Sequence, residues 1–116
     1  MLELSIHNKQ FIVTANKSGL SNEETIFHYY EQDGIIIGTY CGGEIVKGQI
    51  IGKRLLNNCL ELVFQCVTKE GELKSGQSKG VISKNSIGKI ALSFDWKWLN
   101  GDLSGGKSFY QETDEE

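Results

Sequence analysis

The stretch that decides the fold of this chain is Ile90-Ala91-Leu92-Ser93-Phe94-Asp95-Trp96-Lys97-Trp98. Every even-numbered position in it is large and apolar, whereas the odd-numbered positions are small or charged. Because side chains alternate between the two faces of a β-strand, this pattern predicts a strand with one buried and one exposed face. Similar alternation, without proline, runs from Phe11 to Glu112, and no segment keeps the period of an amphipathic helix. We therefore expect an all-β protein.

Turn signals divide the rest of the chain at regular intervals. They combine glycine, asparagine and aspartate, as in Asp33-Gly34, Gly42-Gly43 and Asn57-Asn58. Between them lie eight predicted strands, at roughly 10–16, 24–32, 35–41, 44–55, 59–69, 72–83, 88–99 and 107–112. Short connections favour antiparallel pairing of neighbours in an up-and-down meander. Because no helix covers the sheet edges, we expect the meander to close into a small barrel, with a two-sheet sandwich as the alternative.

The alternation also predicts which side chains point into the barrel. The expected inner faces of two strands are Leu60, Leu62, Phe64 and Cys66 in one, and Val46, Gly48, Ile50 and Gly52 in the other. Small residues at 76, 78 and 80 are expected to leave room for Phe94, Trp96 and Trp98 on the adjacent strand. Alternatively, the inner glycines clear volume for a ligand.

Length and charge exclude several classes of protein. The 116 residues suffice for a single domain, 1–116, with one modest core. A net charge of −3 and a pI near 5.4 argue against a nucleic-acid binder. No stretch approaches the length of a membrane span, and the first residues lack the pattern of a signal peptide. Of the three cysteines, Cys59 and Cys66 share a strand too far apart to bridge, so we expect a reduced, cytoplasmic protein.

One segment matches the phosphate-binding pattern G-x-x-x-x-G-K-S. It runs from Gly101 to Ser108. That motif needs a helix after the loop and parallel strands around it, and too few residues follow Ser108 to supply them. We interpret this segment as the turn between the last two strands.

No residue pattern indicates a catalytic, metal or cofactor site. His7 and His28 are the only histidines, and no pair of histidines or cysteines has the spacing of metal ligands. His28 is expected to face solvent between the inward Phe27 and Tyr29. Cys66 alternates with core residues, as an inert buried cysteine does. We predict no cofactor.

An aromatic interior is the most informative functional feature. The inward aromatic residues are predicted to be Phe27, Tyr29, Tyr40, Phe64, Phe94, Trp96 and Trp98. They could simply fill the barrel, since large aromatic residues commonly form cores. The alternative is a largely apolar pocket at one barrel mouth with a few polar groups. On that interpretation the ligand-binding residues are Tyr29, Tyr40, Glu44, Ser78, Trp96 and Trp98.

Two blocks resemble a small bacterial family. They are the segment 39–52, with Tyr40, Gly42-Gly43 and Gly48, and the segment 96–108, with Trp-x-Trp followed by Gly-Asp. Proteins of that family often carry the label N-acetylglutamate synthase, which implies an enzyme acting on small acyl compounds. This chain has phenylalanine at 94, where an acidic residue is common in the family, and at 64, where tyrosine is common. It also lacks the helix with which common acetyltransferases bind pyrophosphate.

The eight-strand meander itself is similar to the calycins, which include lipocalins, fatty-acid binders and avidins. The run Phe11-Ile12-Val13-Thr14-Ala15 followed by a glycine-containing turn is locally similar to avidins. This resemblance implies a barrel that holds a small apolar molecule at its mouth.

Three functional hypotheses follow from the sequence. The first is a non-enzymatic binder of a small, partly apolar ligand, with Trp96 and Trp98 as the wall. The second is an enzyme acting on small acyl or amide compounds. The third is a filled barrel that acts as a structural protein and pairs with another copy through its outer face, at Ile51, Val63, Val67 and Ala91.

Overall fold

A computed structural model describes residues 4–16, 24–101 and 103–113. These residues form eight strands, and they contain no helix. The strands are β1 (Lys9–Asn16), β2 (Ile26–Gln32), β3 (Ile35–Gly42), β4 (Ile45–Leu55), β5 (Cys59–Thr68), β6 (Leu73–Lys84), β7 (Ile90–Trp98) and β8 (Gly105–Glu112). Within the described ranges, no helix is therefore long and apolar enough to cross a membrane.

The strands follow one another around a closed antiparallel barrel, as the sequence predicts. Each strand pairs with the next in the chain, and β1 closes the barrel against β8, with Phe11 opposite Glu112. Closure leaves no unpaired sheet edge, which excludes the alternative of a two-sheet sandwich. In the three-residue connection between β4 and β5, Asn57 and Asn58 have left-handed φ angles of 61° and 58°, and the N–H of Cys59 donates to the carbonyl of Leu56 at 3.3 Å.

The predicted inner faces of β5 and β7 are confirmed. Leu60, Leu62 and Cys66 are buried and Phe64 is half-buried, while all even positions of β7 are buried. The prediction for the start of β4 is wrong, because Ile45 is buried and Val46 is exposed. The register of β4 against β5 shifts between Ile45 and Lys47. Such a bulge adds one residue and turns the following side chain to the other face.

Interior glycines make room for aromatic rings, as expected. A side chain at position 48 would overlap the ring of Tyr40, at position 76 that of Phe64, and at position 80 that of Phe94. Each glycine faces its aromatic neighbour directly across two paired strands. The rings therefore lie flat against the inner wall.

The segment before β1 packs against one end of the barrel. Ile6 is fully buried there, and the backbone N–H of Leu4 donates to Asn58 Oδ1 at 2.9 Å. Arg54 donates to the carbonyl oxygen of Leu4 at 2.8 Å. At this end the core combines Phe11 with aliphatic side chains, chiefly Ile36, Leu60, Ile82 and Leu92.

The segment with the phosphate-loop pattern is not followed by a helix. Gly105 begins β8, and Ser108 is a buried residue within that strand. Lys107 points outward and donates to Asp95 Oδ1 on β7 at 2.7 Å. Asp102 lies outside the described residues. The interpretation of this segment as a turn between the last two strands is therefore confirmed only for its first part, because Gly105 to Ser108 belong to β8.

Candidate functional site

An internal cavity lies in the half of the barrel away from the N-terminal segment. Its volume is about 60 Å³. A single water needs about 10–15 Å³ of such space, so a few waters or a small chemical group would fill it. Among the residues that the structure describes, no charged side chain lines it. The lining residues are Phe27, Tyr29, Tyr40, Ile45, Ile50, Leu62, Phe64, Ser78, Phe94, Trp96, Trp98, Ser108 and Tyr110.

Alternation brings these side chains together from seven strands. On β7, Phe94, Trp96 and Trp98 project inward at successive even positions, as the sequence predicts. Opposite them on β6 are Gly76, Ser78 and Gly80, which pair with Trp98, Trp96 and Phe94 respectively. The small residues on β6 thus leave space inside the barrel for the large side chains on β7.

The two indoles form one wall of the cavity. Trp96 and Trp98 meet edge to face, with ring centroids 5.5 Å apart, and Phe64 meets Trp98 in the same way at 5.6 Å. Both tryptophans are buried, yet neither belongs to the contiguous apolar core. The Nζ atom of Lys74 lies 4.6 Å from the ring centre of Trp98, within the range of a cation–π contact.

The indole N–H of Trp96 has no hydrogen-bond partner. Its Nε1 atom is fully buried, and Trp96 as a whole is 9% exposed. Of the buried side-chain polar atoms in the described residues, only this atom and the Thr113 hydroxyl are unpaired. Leaving a buried donor unpaired costs about 1–3 kcal/mol. Because Trp96 lines the cavity, a small rotation of its indole would present this donor to an acceptor that enters the cavity.

Three tyrosine hydroxyls add polarity to the otherwise apolar wall. Tyr110 donates to Ser108 Oγ at 2.8 Å, and burial raises the pKa of Tyr110 to about 12 despite that hydrogen bond. Burial also raises the pKa of Tyr29 well above its usual value, as it does for Tyr40. All three phenols are therefore neutral at physiological pH and are available as hydrogen-bonding groups.

Cys66 lies beside this group of residues. Burial raises the pKa of its thiol, while a hydrogen bond with Tyr40 and the charge of Lys74 act in the opposite direction. A thiol with a raised pKa is a poor nucleophile at neutral pH. All three cysteines are free.

Of the six residues proposed from sequence as the ligand site, five line the cavity. They are Tyr29, Tyr40, Ser78, Trp96 and Trp98. The sixth, Glu44, is exposed in the turn between β3 and β4 and does not line it. There its backbone carbonyl accepts a hydrogen bond from the N–H of Lys69 at 2.9 Å.

Two further lining residues, Ser108 and Tyr110, were not among the site residues predicted from the sequence. Both are buried on the inner face of β8 and line the cavity. The period-two pattern of Gly106, Ser108 and Tyr110 was the available signal. The interpretation of residues 101–108 as a turn conceals this pattern.

No group of three or more histidine, cysteine or carboxylate side chains in the described part of the chain is arranged to hold a metal ion. His28 is partly exposed and its Nε2 atom lies 3.0 Å from Asn8 Oδ1 on the outside of the barrel. His7 accepts a hydrogen bond from the backbone N–H of Glu31 at 3.0 Å. Both histidines therefore have structural partners outside the cavity.

A closed eight-stranded meander with an apolar internal cavity defines a calycin-like β-barrel. The family model described as avidin-like protein matches residues 4–113, almost the whole chain. The chain therefore belongs to the avidin-like family. Comparisons with curated proteins and with solved structures found no match.

Proposed function

We propose that this protein binds a small, partly apolar ligand, one end of which enters the internal cavity. The observation that carries the proposal is the unpaired, buried indole N–H of Trp96, a residue that lines the cavity. Buried donors in folded proteins almost always have partners, so an orphan on a residue that lines a cavity favours a missing acceptor. Membership of the avidin-like family is consistent with a small-molecule binder.

The size of the cavity limits what it can hold. Pockets that enclose whole ligands usually have volumes of about 300–1,000 Å³. The cavity of about 60 Å³ is much smaller, so it takes only a few non-hydrogen atoms. The rest of the ligand extends toward the barrel end formed by the turns that follow β3, β5 and β7.

The lining residues set the chemistry of the buried end. Because no charged side chain of the described ranges lines the cavity, a buried ionic group would lose its hydration without compensation from them. A neutral acceptor such as a carbonyl oxygen meets the Trp96 N–H without that cost. The phenols of Tyr29 and Tyr40 and the hydroxyl of Ser78 are further partners for polar atoms of the ligand.

The alternative is an enzyme acting on small acyl or amide compounds, as the label N-acetylglutamate synthase implies. Such an enzyme needs an activated nucleophile or an acid–base pair near the substrate. Tyr29 and Tyr40, which line the cavity, and Cys66 beside Tyr40 have raised pKa values and are neutral near pH 7. This favours binding over catalysis.

Two measurements test the proposal. Native mass spectrometry of freshly purified protein should reveal a retained small molecule. In ¹H–¹⁵N spectra, titration with N-methylacetamide, a small neutral carbonyl compound, should shift the indole N–H signal of Trp96 in a saturable manner. The indole signal of Trp98 serves as an internal reference. A bare mass together with no saturable shift would show that the barrel is simply filled.

A matched pair of variants separates the hydrogen bond from the apolar wall. Trp96→Phe keeps an aromatic ring but removes the donor, so affinity for the ligand should fall by about tenfold. Unfolding experiments should show no loss of stability beyond that of the smaller ring, because an unpaired donor is removed. Trp98→Phe leaves the Trp96 donor in place and should reduce affinity less. Equal losses in the two variants would contradict the assigned role of Trp96.

A further inference from the structure

Residues 4–8, the strap, cross the end of the barrel that lies away from the cavity. Ile6 in the middle of the strap is fully buried, whereas Ser5, His7 and Asn8 on either side of it are exposed. Asn8 has a left-handed φ angle of 57°, so the chain bends sharply between the strap and β1. Closure of this end of the barrel therefore depends on how a short segment is held in place.

The imidazole of His7 takes the place of a backbone partner for β2. The pairing of β1 with β2 ends at Lys9, which lies opposite Tyr29. One step further along this antiparallel ladder, the residue opposite Glu31 would be His7. There the backbone N–H of Glu31 donates to the ring nitrogen Nδ1 of His7 at 3.0 Å. The side chain thus continues the pairing where the backbone of β1 no longer does.

This hydrogen bond requires a neutral His7. An imidazole accepts only through a ring nitrogen that carries no proton, so the proton of the neutral ring lies on Nε2. A protonated ring has N–H groups at both positions and would present a donor to the N–H donor of Glu31. Histidine side chains change charge between about pH 5 and pH 8. Acidification through this range therefore removes one contact between the strap and β2.

The second histidine at this end of the barrel does not share this requirement. His28 Nε2 lies 3.0 Å from Asn8 Oδ1, a contact in which a protonated ring can donate. Both histidines also contact one phenol ring. His28 stacks on Tyr30 with ring centroids 4.6 Å apart, and His7 meets Tyr30 edge-on at 5.9 Å. In acid the two histidines would place positive charges on either side of one ring, which further disfavours the docked strap.

The charged groups on the neighbouring strands are engaged with one another. The carboxylate of Glu31 on β2 pairs with Arg54 on β4 at 2.6 Å. Lys9 on β1 pairs with Glu112 on β8 at 3.3 Å. A protonated His7 would therefore have to compete with an existing cation for either carboxylate, so neither one readily replaces the lost hydrogen bond.

The first residue of the strap has anchors that contain no histidine. The backbone N–H of Leu4 donates to Asn58 Oδ1 at 2.9 Å, and the carbonyl of Leu4 accepts from Arg54 at 2.8 Å. Neither of these groups changes its charge between about pH 5 and pH 8. The strap is thus held by a pH-independent anchor at Leu4 and a pH-dependent one at His7, with the buried Ile6 between them.

We propose that the strap is an acid-sensitive latch on this end of the barrel. When His7 is protonated, the N–H of Glu31 loses its acceptor, and the chain between Leu4 and Lys9 lifts and takes Ile6 out of the core. The end of the core that Ile6 covers at neutral pH is then opened to solvent in acid. Because the latch and the cavity lie at opposite ends of the barrel, the latch acts whether or not a ligand is bound.

Hydrogen exchange of the Glu31 amide measures how often the latch opens. Expressed at each pH relative to an unstructured peptide, the protection of this amide should fall by about five- to tenfold between pH 8 and pH 5, as expected for the loss of one hydrogen bond. Amides of β5, which is paired on both sides, should keep their protection and so show that the barrel stays folded. Cleavage beside Ile6 by proteinase K, relative to a free peptide of residues 4–9 at the same pH, should accelerate by a similar factor.

Three variants separate His7 from other titrating groups. His7→Asn places a carbonyl oxygen near the position of Nδ1 and accepts at every pH, so the Glu31 amide should stay protected at pH 5. His7→Leu has no acceptor, and protection should be low at both pH values. His28→Asn is the matched control, because it removes the other histidine and should leave the pH response of the wild type unchanged.

Three results would overturn the proposal. Equal protection of the Glu31 amide at pH 8 and pH 5 in the wild type would show that His7 does not control the contact. A pH response that persists in His7→Asn would assign the effect to another group. A fall in protection without faster cleavage beside Ile6 would mean that the ring of His7 swings away while the strap stays docked. If His7→Leu fails to fold, the comparison of His7→Asn with His28→Asn still decides among these outcomes.

Discussion

Gly48 lies directly opposite Tyr40 on the neighbouring strand, and the phenol ring of Tyr40 covers it. The three atoms that a side chain at position 48 would first meet all belong to this ring. The absence of a side chain on β4 therefore fixes the position of an aromatic wall of the cavity. The contact between Tyr40 and Gly48 therefore both packs the barrel interior and shapes the candidate site.

Gly48→Ala should destabilise the protein by about 1–3 kcal/mol, because the new methyl group overlaps the Tyr40 ring. Chemical denaturation measures the effect. In a Tyr40→Leu background the same substitution should cost less, since the smaller side chain can move aside. Equal costs in the two backgrounds would show that the ring is not what excludes a side chain at position 48.

Much of the fold could be predicted because alternation is a strong signal in this chain. The stretch 88–99 was expected to be a strand, and β7 runs from Ile90 to Trp98. Where alternation is interrupted, prediction was wrong. The bulge at the start of β4 turns the side chain of Val46 outward instead of inward. The sequence between Glu44 and Lys47 contains no proline or other strand breaker that would predict this bulge.

The candidate site was harder to predict than the fold. The alternation of side chains along the strands places Tyr29, Ser78 and Trp96 inside the barrel. This alternation was sufficient to propose them as ligand-binding residues. Alternation does not reveal whether the inward-facing rings leave a cavity between them, since the volume of a cavity depends on how the rings pack. The missing partner of Trp96 Nε1 likewise becomes visible only in three dimensions.

Two ion pairs of almost equal length should differ widely in their contribution to stability. Arg54 and Glu31 approach to 2.6 Å with side chains 7% and 15% exposed, whereas Lys107 and Asp95 approach to 2.7 Å with side chains 69% and 71% exposed. Arg54 also donates to the carbonyl of Leu4, so it links the N-terminal segment to the barrel.

Arg54→Ala should cost several kcal/mol, up to about 3–5 kcal/mol, because it removes the partner of the largely buried carboxylate of Glu31. Lys107→Ala should cost less than about 1 kcal/mol, since water and salt already screen that pair. Urea unfolding of the two variants gives the comparison. Hydrogen exchange near Leu4 should accelerate in Arg54→Ala alone, and similar losses of stability in both variants would contradict the argument from burial.

Glu112 should stabilise the protein at neutral pH but not in acid. Its Oε1 atom accepts from the N–H of Ile90 at 2.9 Å, and Lys9 donates to Oε2 at 3.3 Å. Burial acts to raise the pKa of Glu112, but these two hydrogen bonds and the nearby lysine charges outweigh it and lower the pKa. A lowered carboxylate pKa gives stability that is present above the ordinary value of about 4.3 and is lost as pH falls through the folded value.

Glu112→Gln should therefore reduce the free energy of unfolding by about 1 kcal/mol at neutral pH. The difference from wild type should disappear below the folded pKa of the carboxyl group. Urea titrations at neutral pH and at about pH 3 measure both values. Glu72→Gln, at an exposed position before β6, is the control, and a pH-independent difference for Glu112→Gln would contradict the electrostatic explanation.

The three buried tyrosines should make the protein unstable in alkali. Burial raises the pKa values of Tyr29, Tyr40 and Tyr110, so the folded protein keeps protons that the unfolded chain loses above its ordinary value of about 10. The unfolded state then binds fewer protons, and stability falls as pH rises through that range. Each tyrosine contributes up to about 1.4 kcal/mol per pH unit to the slope of the free energy of unfolding against pH.

Phenolate absorbance should therefore increase together with the loss of near-ultraviolet circular dichroism. Tyr110→Phe should reduce the slope of the free energy of unfolding against pH by about one third. Ionisation of three tyrosines in a protein that keeps its near-ultraviolet signal would show that the cavity wall is open to water.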